Sequence, residues 1–166
     1  MRVRFLTLAM LALGLAPGQA SAYSIYVSNE KDNTITVVNS ETMEAIKTVK
    51  VGQRPRGITV TNDGKFILVC ASDDDTVEVI DATTYERVTT LPSGPDPELM
   101  VLSPDGKKLY VANEDDNLVT VVDVESRSVL SEIPVGVEPE GMAVSPDGNM
   151  LVNTSETTNM AHFIDT

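Results

Sequence analysis

Apolar residues recur along this chain in short runs that alternate with polar ones or are rich in β-branched side chains, as in Thr76–Ile80 (TVEVI), Leu109–Ala112 (LYVA) and Val119–Val122 (VTVV). Each run is bounded by Gly, Pro, Asn or Asp, the pattern of strands joined by tight turns. The runs are themselves periodic: adding 42 carries Tyr26–Ile67 onto Leu68–Leu109 and then onto Tyr110–Leu151 without a gap. Four strands fit one period, and in the unit richest in signals they are predicted at Glu98–Ser103, Lys108–Asn113, Leu118–Asp123 and Ser128–Pro134. A four-stranded sheet of this size buries both faces only by stacking on neighbours. The expected fold is therefore all-β, a β-propeller of four-stranded antiparallel blades with a 42-residue repeat.

The punctuation repeats with the strands. Asp63-Gly64, Asp105-Gly106 and Asp147-Gly148 place glycine where a hairpin between the first and second strands needs positive φ. Asn39, Asp81, Asp123 and Asp165 can fold back on following amides and begin the turn from third to fourth strand. Gly52, Gly94 and Gly136 end the outer strand, and Pro55, Pro97 and Pro139 open the crossing to the next blade. The predicted division is three strands of a blade over 23–51, full blades over 56–92 and 98–134, and an incomplete blade over 140–166. Roughly 3.4 periods fall short of a closed ring of four to eight blades. The chain is therefore expected to be the N-terminal part of a longer protein, with assembly of several copies into one ring as the alternative.

Residues 1–22 depart from this pattern. Arg2 and Arg4, the apolar stretch Phe5–Ala16 and the small residues Ala20-Ser21-Ala22 form the outline of a secretory signal peptide. It is too short to span a membrane, and the expected location is periplasmic or secreted. Removing it takes the net charge from −13 to −15, because Arg2 and Arg4 leave with it. Like charge then opposes nucleic acid or an anionic lipid surface as partner.

Charge also distributes unevenly. With strand direction alternating, the loops between second and third strands share one rim with the crossings between blades. That rim carries thirteen acids against Lys31, Arg54 and Arg56. The candidate partner-binding face comprises Arg54, Arg56, Asp73, Asp74, Asp75, Asp96, Glu98, Glu114, Asp115, Asp116, Glu138 and Glu140, with the crossings near the mouth of the central channel. It suits a basic, cytochrome-like partner whose association responds to salt; simple solvation of the acidic loops is the competing reading. A second candidate is a polar site at Asn153, Thr154, Glu156, Asn159 and His162, where Asn153 and Thr154 replace the Val111 and Ala112 of the preceding unit.

Catalytic signatures are absent. There is no GxSxG, P-loop, HExxH or cysteine pair, and His162 is the one histidine. Cys70, whose repeat equivalents are Ser28, Ala112 and Thr154, is expected to be a buried filler, and His162 a polar residue on a blade surface. No catalytic residue, metal ligand or firmly bound cofactor is assigned. Calcium at the acidic loops is the chemistry left open.

YVSN at 26–29 and YVAN at 110–113, followed by TVxVID-like strands and SPDGK-like turns, resemble the YVTN family of β-propeller repeat proteins. The strings CASDDDT, SGPDPEL, ANEDDNLVT, VGVEPEGMAVSPDG and NTSETTNMAHFID resemble more narrowly the periplasmic propellers associated with pyrroloquinoline quinone (PQQ)-dependent catabolism of alcohols. That resemblance implies a seven-bladed ring, of which this chain would supply about half, and an accessory role beside a quinoprotein dehydrogenase or its c-type cytochromes; it also raises PQQ as a ligand, which on an acidic face would need Arg54 and Arg56 or a bridging metal. It supplies no catalytic residues, so a non-enzymatic interaction protein is expected. A lactonase-like metal-dependent hydrolase and a structural cell-surface repeat protein are the alternatives.

Overall fold

The computed structural model describes residues 23–166, so the expected signal peptide lies outside the described residues. Four antiparallel sheets follow one another along the chain. The first blade is β1 (Ser24–Asn29), β2 (Thr34–Asn39) and β3 (Ala45–Lys50). The second is β4 (Pro55–Val60), β5 (Phe66–Ala71), β6 (Thr76–Asp81) and β7 (Arg87–Pro92). The third is β8 (Pro97–Leu102), β9 (Lys108–Asn113), β10 (Leu118–Asp123) and β11 (Ser128–Pro134), and the fourth β12 (Pro139–Val144), β13 (Met150–Ser155) and β14 (Met160–Asp165). Among the described residues a single 3₁₀ turn, at Ser72–Asp74, interrupts the strands. The innermost strands β4, β8 and β12 lie side by side, as propeller blades require. No helix among the described residues is long and apolar enough to cross a membrane.

Each irregularity recurs at the same place in the period. The register of first against second strand slips between Pro55 and Ile58, Pro97 and Met100, and Pro139 and Met142. Proline has no N–H to donate to the ladder, so a bulge belongs beside it. Asn39 Oδ1 accepts the amides of Glu41 and Thr42, and Asp81 Oδ1 those of Thr83 and Thr84. These backbone bonds hold the Asp81 carboxyl below its ordinary value.

The core is a series of apolar seams between blades. Ile35, Val37 and Val49 pack on Ile67, Val69 and Ile80; Leu68, Cys70 and Val77 pack on Leu109, Val111 and Val122; Tyr110, Val119 and Val121 pack on Leu151. Cys70 is fully buried, as its small repeat equivalents suggest, and burial pushes its thiol far above the ordinary value. Backbone meets backbone closely at Gly57, where a Cβ would lie 2.6 Å from the Glu98 carbonyl oxygen and 3.3 Å from Cys70 Sγ. Gly64 differs, since it has φ of +72° and open space around the position of a Cβ.

These two glycines separate steric from conformational cost. Gly57→Ala forces β4 away from β8 and is expected to cost about 3 kcal/mol. Gly64→Ala meets nothing and is expected to cost about 1 kcal/mol for the left-handed backbone alone. Denaturant unfolding of the two variants, with the order reversed, would contradict the packing described for β4 and β8.

Candidate functional site

The loops and crossings meet on one rim because a pair of bonds repeats there. Asn33 Oδ1 accepts the amide of Arg54, Asp75 Oδ1 that of Asp96 and Asn117 Oδ1 that of Glu138, at 2.9, 3.0 and 3.1 Å. The same crossing residues then offer their carbonyls onward, to Ser72 N from Arg54, Glu114 N from Asp96 and Glu156 N from Glu138. Each crossing is thus pinned between the loop of its own blade and the loop of the next. Arg54, Asp96 and Glu138 hold φ of 51°, 52° and 58°, a region disfavoured for Arg and Glu and tolerated by Asp. The pinning bonds offset that strain, and the Asn or Asp that supplies them is itself left-handed at Asn33, Asp75 and Asn117, where such residues are tolerated. The signal was present in the 42-residue spacing of these three positions, but sequence reasoning treated Asp75 only as a surface charge.

Inside the rim the two arginines gather carboxylates from every blade. Arg54 contacts Asp73 at 3.4 Å and Glu98 at 2.8 Å, and also Asp96. Arg56 reaches Glu30 of the first blade and Glu140 of the fourth, each at 3.4 Å, as well as Glu98 of the third. Burial lowers both guanidinium groups, but the surrounding carboxylates outweigh it and leave both raised, hence fully charged. Glu98 is 1% exposed, so the expectation that it faces a partner is corrected: it is the internal acceptor shared by Arg54 and Arg56. Burial pushes its carboxyl up to about 7, against the pull of Arg56 and with the help of Asp96 and Glu114.

The remaining rim acids divide by exposure. Asp73, Asp74, Asp75, Asp115 and Asp116 are exposed, together with Glu30, Asp32 and Glu156; Asp96, Glu114, Glu138 and Glu140 are half-buried. Asp74 takes the Gln53 amide at 2.8 Å, and the Glu138 carboxylate takes the Thr157 hydroxyl. Asp96, Glu98 and Glu114 each bring a carboxylate oxygen within 4.8 Å of the others. Calcium asks for six to eight oxygens, whereas Arg54 already lies on two of these three side chains. The grouping is a poor fit for that ion. Nor do Arg54 and Arg56 form a cradle for a tricarboxylate such as PQQ, since both are engaged by acids of this chain.

The second candidate site assembles only in part: Thr154, Glu156 and Asn159 line one open pocket, with Glu140 at its edge, while Asn153 lies apart from it. Adjacent residues of a strand point to opposite faces, and Asn153 is fully buried while Thr154 is exposed on the other side. Glu156 and Asn159 are exposed on the rim loop. His162 Nε2 accepts the Gly136 amide at 2.9 Å. Its repeat equivalent Glu78 does the same for Gly52 at 3.1 Å, while Thr120 acts through Asn113, whose Nδ2 donates to the Gly94 carbonyl at 3.1 Å. His162, expected to be a polar residue on a blade surface, is half-buried and, like Glu78 and the Asn113–Thr120 pair, holds the end of the previous blade's outer strand.

Two outcomes follow from this geometry. Asp75→Ala removes the acceptor of the Asp96 amide and is expected to cost about 1–2 kcal/mol, whereas Asp75→Asn, the residue of the other two loops, keeps most of that stability; equal losses in thermal unfolding would contradict the pinning. Because the Glu98 carboxyl is raised in the folded chain, its contribution is present at pH below the ordinary carboxyl value of about 4.3. It is lost as pH climbs towards about 7. The stability of the native chain relative to Glu98→Gln should therefore fall over that window, and a difference that rises with pH would contradict it.

Known proteins place this architecture. A family model described as YNCE-like beta-propeller matches residues 7–92, and one described as Cytochrome D1 heme domain matches residues 69–160. Among solved structures, the chain is similar to Kuenenia stuttgartiensis hydrazine synthase, at 30% identity and a TM-score of 0.79, over 86% of this chain. It spans 42% of that chain's length. No curated protein matches. Stacked sheets of three and four strands at constant period, together with a family match over more than half of the sequence, show that the chain belongs to the YNCE-like β-propeller family.

Proposed function

We propose that this chain is a non-enzymatic periplasmic propeller accessory to PQQ-dependent alcohol oxidation, and that it docks a basic haem protein through its acidic rim. The observation that carries this reading is the way the rim charge is sorted. Arg54 and Arg56 turn inward onto Asp96, Glu98 and their neighbours and offset part of that charge, leaving Asp32, Asp74, Asp75, Asp115, Asp116 and Glu156 exposed without a basic partner among the described residues. Unpaired exposed carboxylates on a surface fixed by backbone bonds steer and orient a cationic partner. Similarity to a cytochrome D1 heme domain supports a haem-linked setting. A c-type cytochrome, or the quinoprotein dehydrogenase it serves, is the partner class that fits. The alternative of a lactonase-like metal-dependent hydrolase rests on Asp96, Glu98 and Glu114, and Arg54 weakens it.

Binding of a basic c-type cytochrome, followed by calorimetry or biolayer interferometry, tests the proposal. Raising salt from about 0.05 to about 0.5 M shortens the screening length several-fold and should weaken the complex at least tenfold. The double variant Asp115→Lys, Asp116→Lys should weaken it at low salt without altering thermal stability. Absence of a complex at low salt, or one indifferent to both salt and charge reversal, would remove the docking role.

A further inference from the structure

The seam between the third and fourth blades differs from the other two in its polar groups. At the place of Val69 and Val111, both fully buried in apolar seams, β13 carries Asn153. Asn153 is also fully buried; its Nδ2 donates to the Gly141 carbonyl at 3.3 Å, while Oδ1 has no partner in the protein. Two residues on and on the same face, Ser155 is 3% exposed with Oγ unpartnered, and Thr158 Oγ1 beside it is unpartnered as well. Both hydroxyls border Gly136, where a Cβ would lie 2.7 Å from Ser155 Oγ. Three buried polar atoms without partners thus lie along the rim-side end of one seam.

Such atoms are rarely left bare, because an unsatisfied buried oxygen loses its hydration without return. Their chemistry defines what would join them. Asn153 Oδ1 only accepts, so its partner must donate, whereas the hydroxyls of Ser155 and Thr158 can each donate or accept. Residues two apart on one strand face are about 6.7 Å from each other, a gap spanned by one or two hydrogen-bonded waters. We propose that the seam between the third and fourth blades binds internal water, held by Asn153 Oδ1 at one end and by the Ser155 and Thr158 hydroxyls at the other. The equivalent stretches of the two earlier seams, with Val69 and Val111 in place of Asn153, are dry. Position 153 therefore decides which seam of the propeller is hydrated.

Diffraction from crystals of the full chain at about 1.5 Å tests this directly. The expected result is a solvent peak within hydrogen-bond distance of Asn153 Oδ1, connected to Ser155 Oγ, and no peak beside Val69 or Val111. In Asn153→Val the peak at that end should vanish, and in Ser155→Ala the rim-end peak should move or vanish while the other stays. A seam without solvent density, or an Asn153 Oδ1 turned onto a protein donor, overturns the proposal. Should Asn153→Val fail to fold, the native chain and Ser155→Ala still decide it.

Discussion

The constraint on which this structure depends is the pinning of each blade-to-blade crossing. Arg54, Asp96 and Glu138 all occupy left-handed backbone, which Arg and Glu disfavour and Asp tolerates. They remain there because an Asn or Asp from the loop of the same blade takes their amide and the loop of the next blade takes their carbonyl. One left-handed residue per period thus ties each crossing to the loops on either side of it. It also brings like-numbered loops to one rim, which is the condition for any surface property of that rim to exist.

Given that frame, the rim chemistry is a matter of sorting charge. A basic pair in one crossing faces acidic pairs in the next two, so Arg54 and Arg56 draw in carboxylates from all four blades around a buried Glu98. Ion pairing is concentrated on these two arginines, which also reach the exposed Asp73 and Glu30 and offset only part of the charge they gather. The result is a stabilised interior and an exposed negative border, and the border is what a basic partner would meet. Seams beneath the rim are held in the same repeated manner, with Glu78, the Asn113–Thr120 pair and His162 each securing a glycine corner of the previous blade.

The fold was legible because its signals are local and repeated. Strands at Lys108–Asn113, Leu118–Asp123 and Ser128–Pro134 follow from alternation and turn residues alone. The fate of single charges was not legible, because it depends on partners one or two periods away. Glu98 reads in sequence as one more rim acid, and only its contacts with Arg54 and Arg56, 44 and 42 positions away, make it an interior group. Asn153 and Thr154 read as one polar site, and the alternation of strand faces divides them. The second role of Asp75 lay in plain view in the series Asn33, Asp75, Asn117, since a side chain that tolerates left-handed backbone and accepts a hydrogen bond recurs there at a constant interval.

Amide hydrogen exchange at the three crossings is the most direct measurement of the central claim. The amides of Arg54, Asp96 and Glu138 lie outside the strands at the rim, where ordinary loop amides exchange quickly. If the crossings are pinned as described, these three exchange as slowly as the neighbouring strand amides. Exchange at the rate of unstructured chain would show that the crossings are free and that the rim is no fixed surface.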